Sequence, residues 1–124
     1  MASTITVITT KSKQKVLEAR AGKKTLPAIA TMAFGDGGNG WVPTGSDNAL
    51  KNELLRKTIT AIEPLSETRY RYKCLIEKNE LQNVTINEMG LVDTEGDFIC
   101  IIVCGNKLKD DDIEMEFYID DIMN

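Results

Sequence analysis

The stretch MAFGDGGNGWVPTGSDNALKNELLR, residues 32–56, decides how the fold is read. The hydrophobic run 25–34 (TLPAIATMAF) reads as a strand leading into glycines, with Pro27 confining its start to a sheet edge. Ser46 or Asp47 then offers an N-cap for a helix running to about Lys57, with Leu50, Leu54 and Leu55 as its apolar stripe. Gly35, Gly37 and Gly40 satisfy G-x-G-x-x-G as written. A dinucleotide fingerprint needs the helix to open inside the motif, however, and here Trp41 to Gly45 intervene. A phosphate loop would continue with Lys and Ser/Thr, where this chain has Trp41 and Val42, and Asp36 would repel the phosphate. The spacing therefore points to strand, irregular loop and helix, without a nucleotide site.

Working outward, residues 1–10 read as a short strand or extended arm, with the β-branched run at 3–10 (STITVITT). Residues 11–21 have helix-favouring composition, a weak apolar side around Val16 and Leu17, and Gly22 as a stop. From 58 onward the pattern is β. Tyr70, Tyr72, Cys74 and Ile76 alternate with charged residues, as in a half-buried antiparallel strand. The alternation at 84–92 slips phase near Asn87, Glu88 and Met89, which predicts a bulge. Residues 93–97 (DTEGD) read as a hairpin turn, and 98–104 (FICIIVC) as a central strand covered on both faces. Gly105 and Asn106 are expected to turn the chain, and 113–119 to form a last strand with Ile113, Met115, Phe117 and Ile119 facing inward. The expectation is one α+β domain over 1–124: helix, strand, loop and helix over 11–57, then an antiparallel meander over 58–124. Its sheet would hold about four to six strands, with two short helices packed on one face.

Composition bounds the function. The 124 residues, 42% hydrophobic and 27% charged, suit a single globular domain. No apolar run is long enough to span a bilayer, no secretory signal is visible at the start, and synthesis in the cytosol is expected. The chain has no histidine, which removes Ser-His-Asp and Cys-His catalysis. Cys74, Cys100 and Cys104 sit in apolar runs without zinc-ligand company and read as buried free thiols. The net charge of −4 is uneven. Nine basic against four acidic residues over 1–62 give +5, and six against fifteen over 63–124 give −9. The acidic second half argues against a nucleic-acid module.

Other candidate groups each carry a plainer reading. Asp36, Asn39, Asp47 and Asn48 are oxygen donors, but their spacing is not that of a calcium-binding EF-hand loop, and Asp and Asn also form turns. Asp110, Asp111 and Asp112 cannot all face one ion and suit a charged sheet edge. Glu88 lies among Ile86, Met89 and Leu91, where a carboxylate needs a partner. Either an ion pair, with the arginines of 68–78 as candidates, or hydrogen bonds to backbone would serve. A catalytic acid there would need a cleft. Trp41 is either a lid on the core or an interface anchor.

Two blocks carry a resemblance. The first is Phe34-Gly35-Asp36-Gly37-Gly38 followed by Ala49-Leu50-Lys51-Asn52-Glu53-Leu54-Leu55-Arg56; the second is Ile86-Asn87-Glu88-Met89-Gly90-Leu91-Val92-Asp93 followed by Phe98-Ile99-Cys100-Ile101. Together they resemble the phage tail-collar fibre family, the N-terminal domain by which tail fibres join the baseplate, over about 11–122. Asn87 stands where the family often has arginine, and Val92 where it often has an aromatic residue. The resemblance implies a structural component of a phage tail, a prophage or a phage-derived contractile particle, joining tail fibre and baseplate through protein–protein contacts. It implies no catalysis, cofactor or metal. Its partners would be other tail or baseplate proteins and further copies of itself, a homo-oligomer such as a trimer, with no nucleic acid and no membrane insertion. The location implied is the virion tail, after synthesis in the bacterial host cytoplasm. Family members continue into a long fibre, and this sequence ends at Asn124, so a free-standing adaptor and a piece of a longer fibre are both expectations. In this frame Gly35, Asp36, Gly37 and Trp41 form a candidate docking loop, and Asn52, Glu53, Arg56, Glu88 and Gly90 a candidate structural motif. The alternative is a small-ligand or divalent-cation-binding module using the 35–47 loop.

Overall fold

A computed structural model of the chain describes residues 4–123. Met1, Ala2 and Ser3, where the expected arm begins, and Asn124 lie outside the described residues. The elements run β1 (Ile5–Ile8), α1 (Thr10–Arg20), β2 (Ile29–Gly35), β3 (Glu53–Thr58), β4 (Ala61–Ser66), β5 (Arg69–Ile76), β6 (Val84–Asp93), β7 (Phe98–Lys109) and β8 (Met115–Ile122). Five strands form one antiparallel sheet in the order β1-β7-β6-β2-β3, and three form a second in the order β4-β5-β8.

The expectation of an α+β domain with one sheet and two helices is overturned. Among the described residues there are eight strands in two antiparallel sheets and a single helix. The decisive segment is 47–57, which supplies β3 and the loop before it. In a helix opened at Asp47, the amides of Lys51 and Asn52 would bond carbonyls four residues back. Here they donate instead to the Glu88 carboxylate, at 2.8 and 2.9 Å. Pairing with β2, including Phe34 opposite Leu55, then sets an extended backbone. Leu54 is exposed while Leu55 packs against the core, a period of two rather than 3.6. Tertiary pairing wins over helix propensity.

Two smaller expectations also fail. Gly105 and Asn106 do not turn the chain: β7 continues to Lys109, and the register shift between Ile86 and Glu88 of β6 places the extra residues of β7 there. Ile113 is 41% exposed and precedes β8 instead of facing inward.

The main core lies between the sheets. Met32, Phe34, Ile86, Met89, Leu91, Cys100, Ile102 and Cys104 of the larger sheet meet Cys74, Ile76, Phe117 and Ile119 of the smaller. The rings of Phe34 and Phe117 meet with centroids 5.2 Å apart, tilted by 58°. A second cluster, Ala33, Leu50, Val92, Phe98 and Ile101, is joined by Val7 and Trp41. Strand β7 lies between β1 and β6 and feeds both clusters, which accounts for its unbroken apolar run. The three cysteines are buried free thiols, and burial pushes Cys74 and Cys100 up to about 11.

Helix α1 is held by polar anchors. Its N-cap Thr9 accepts from the Ser12 amide at 3.1 Å, and the same hydroxyl donates to the Phe98 carbonyl at 2.6 Å. The residues that α1 buries are Ser12 and Lys15, whereas Leu17 is exposed. No helix among the described residues is long and apolar enough to cross a membrane.

Candidate functional site: a braced corner between β2 and β3

The chain leaves β2 at Gly35, makes the excursion 36–52, and returns as β3. The base of that excursion is closed from β6. Glu88 sits opposite Gly35 in the β2–β6 register and has no exposed surface. Its carboxylate accepts three backbone N–H groups, from Gly37 at 2.8 Å, Lys51 at 2.8 Å and Asn52 at 2.9 Å. One buried side chain therefore grips both ends of the loop. Beside it, at the bulge, the buried Asn87 accepts from the Gly38 amide at 2.7 Å and donates to the Asn106 side chain at 3.2 Å. Asp36 adds an outer stitch: Asn52 Nδ2 donates to its carboxylate at 2.6 Å, and its own amide donates to the Asn52 carbonyl at 3.3 Å.

The GDGG motif is thus a close-approach device. A Cβ at Gly35 would collide with the Asn52 carbonyl and the Glu88 carboxylate, and one at Gly38 with the Asn87 carbonyl. At Gly37 it would lie 2.6 Å from Lys51 Cβ and 2.8 Å from the Asn52 nitrogen. Gly37→Ala is accordingly expected to destabilise the domain by about 2 kcal/mol, since overpacking of a closed site costs in that range. Urea unfolding measures it, with Asn39→Ala, in the same loop but exposed, as the control within about 0.5 kcal/mol.

The other motif residues meet on the same side. The Arg56 guanidinium is bidentate to Glu53, at 2.7 and 2.8 Å, and lies 5.2 Å from the centroid of the Phe98 ring. Gly90 leaves room for that ring, because a Cβ there would lie 2.6 Å from Phe98 Cδ2. The two sequence blocks are therefore neighbours in space. Trp41 is half-buried: part of it packs against the second cluster and part stays exposed, with the Lys51 ammonium 5.3 Å from its ring. Val42 beside it is 68% exposed. Farther along, Asp47 accepts from the Thr44 amide at 2.7 Å, and Thr10 donates its amide to the Gly45 carbonyl at 2.7 Å, tying the loop to α1.

These contacts decide between the earlier options for Glu88. It is met by backbone N–H groups; the arginines of β5 turn to Asp120, which Arg71 and Arg69 hold below the usual carboxylate range despite burial. Sealed under the loop, it offers a substrate no access. Asp36 and Asp47 are each engaged locally, by Asn52 and Thr44.

A cluster that the sequence did not announce lies at the β6–β7 turn. Lys15 of α1 is buried and bonds Asp93 at 2.7 Å, Glu95 at 2.8 Å and Asp97 at 2.6 Å. Asp93, also buried, accepts the amides of Glu95 and Asp97 at 2.9 and 3.0 Å. Burial opposes the lysine charge, but the hydrogen bonds to Asp93, Asp97 and Glu95 outweigh it and raise its pKa. The three carboxylates lie within 4.8 Å of one another, and the ammonium bonds all three. In sequence Lys15 is one of several lysines on a solvated-looking helix, and nothing local marks it.

Two antiparallel sheets packed face to face, with the buried Glu88 and Asn87 side chains spent on bracing a loop, define a β domain. A family profile described as "Phage tail-collar fibre protein, N-terminal" matches residues 1–117 of the 124. The chain belongs to that family and has a structural role in a phage tail, in the virion tail among other tail proteins. No match is found among curated proteins or among solved structures.

Proposed function

We propose that the chain acts as a single domain over 1–124 that joins tail fibre and baseplate, with the 36–52 loop as a docking surface. The observation that carries this is the braced corner. Glu88, Asn87 and Asp36 fix the loop's base, so its exposed tip is ordered before any partner arrives, and preorganisation lowers the entropic cost of binding. Val42 at the tip and the half-buried Trp41 supply the apolar anchor that such an interface needs. Several copies, such as a trimer, would sit around the tail after synthesis in the host cytoplasm. Tails lacking the protein, complemented with the Val42→Asp or Trp41→Ala chain, test the reading. Fibre content per tail, counted by electron microscopy, is expected to fall about tenfold, with circular dichroism of each isolated variant separating a lost contact from a lost fold. Wild-type fibre content in both variants would remove the loop from the interface.

A further inference from the structure

The side of α1 that does not reach the core opens onto a groove. Leu17, 62% exposed, and Leu26, 47% exposed, line it with Tyr72 of β5 and Ile122 of β8, enclosing about 640 Å³. Lys13 and Arg20 stand on the helical wall, and neither belongs to an ion pair among the described residues. Asp121 also lines the groove, and its partial burial disfavours a charge there. The groove is therefore apolar, with two free cations on one wall.

The complementary surface is on the same chain. Between β7 and β8 the exposed turn carries Asp110, Asp111, Asp112 and Glu114, with Leu108, 54% exposed, and Ile113 on either side. None of these acids takes part in an ion pair among the described residues. The turn and the groove lie at opposite ends of β8, whose eight residues start at Met115 beside the turn and end at Ile122 on the groove. At the rise of a strand that separation is about 25 Å, too far for the turn to fill its own groove.

We propose that the 108–114 turn of one copy docks into the α1 groove of the next, head to tail. Leu108 and Ile113 enter the apolar floor, and Asp110, Asp111 and Asp112 meet Lys13 and Arg20. Such a heterologous contact closes into a ring or continues as a filament, according to the rotation per copy. The proposal rests on the several-copies part of the reading above and supplies its contact surface.

Sedimentation velocity over a concentration series tests it. The wild-type chain is expected to self-associate, more weakly as salt rises, because salt screens the attraction between the acids of the turn and the cations of the groove. A groove variant (Lys13→Ser, Leu17→Ser, Arg20→Ser) and a turn variant (Asp110→Asn, Asp111→Asn, Asp112→Asn, Ile113→Ser) are each expected to weaken association about tenfold or more. Mixed in equal amounts, they should form a one-to-one dimer that grows no further, because one intact groove meets one intact turn. All the replaced side chains are exposed, and circular dichroism checks that both variants fold. A monomeric wild type, association unchanged in both variants, or a mixture that stays monomeric would each overturn the proposal. Unchanged association with lost tail incorporation in the groove variant would do the same, and would give the groove to another tail protein. The attachment reading is judged separately, by fibre content in the tip variants.

Discussion

Replacing Glu88 with alanine is expected to cost about 4 kcal/mol and to lower the melting temperature by roughly 15 °C. Among the described residues the carboxylate is the only side-chain acceptor for the amides of Gly37, Lys51 and Asn52, and each donor left without a partner in a closed site costs about 1–3 kcal/mol. Part of that cost is returned when the freed loop opens to water, which is why the total falls short of the sum. Glu88→Gln keeps the shape and one acceptor but turns an N–H₂ toward backbone donors, so about half the loss is expected. The damage should be local before it is global. Protease cleavage after Lys51, in the loop that Glu88 closes, is expected to accelerate at temperatures where the rest of the variant is still folded. An alanine variant within 1 kcal/mol of the wild type would show that the corner is held by something other than this carboxylate.

The same residue shows which parts of the structure the sequence could carry. Strand β5 was legible because Cys74 and Ile76 face one core while Arg71 and Lys73 alternate with them on the half-buried opposite face, a pattern written in consecutive residues. The β6–β7 hairpin was legible for a similar reason: Asp93 and Gly96 shape the turn between two apolar runs, and Gly96 has φ of +87°. The 47–57 segment was not, because its fate depends on Glu88, more than thirty residues on, taking amides that a helix would have used. Local pattern there favours Leu50 with Leu54, while the structure separates them, Leu50 into the second cluster and Leu54 into solvent. Of the site, the GDGG and N-E-x-x-R blocks were visible as motifs, but not that Glu88 and Gly90 of the other block would meet them. A resemblance can place such residues in one family, yet only the pairing of β2 with both β3 and β6 explains why they occur together.

Lys15→Met is expected to be nearly as costly, about 3 kcal/mol, because it leaves the buried Asp93 carboxylate without its cation while Glu95 and Asp97 stay close. The amides of Glu95 and Asp97 still bond Asp93, which keeps the loss below that of Glu88→Ala. The pH dependence identifies the cause. In the wild type, hydrogen bonding to Lys15 holds Asp97 below the ordinary carboxylate range. A carboxylate with a depressed folded pKa stabilises above its unfolded value, so this contribution is present above about pH 4 and is lost as pH falls through the folded pKa. Lys15 is raised, so its contribution is present below about pH 10 and is lost as pH rises further. Without the lysine, Asp97 keeps only the weaker attraction of Lys11 and Lys24 against the like charges of Asp93 and Glu95 beside it, so its pKa is expected to rise and the sign of the response to reverse. Urea unfolding at pH 7 and pH 5 should therefore show the variant gaining stability on acidification while the wild type changes little. Adding Asp93→Asn removes the buried charge that Lys15 had neutralised, and the double variant should recover at least half of the loss. If Lys15→Met instead loses the same stability at both pH values and Asp93→Asn restores none of it, the lysine acts through packing of its stem against the turn, and the charge cluster is not what anchors α1.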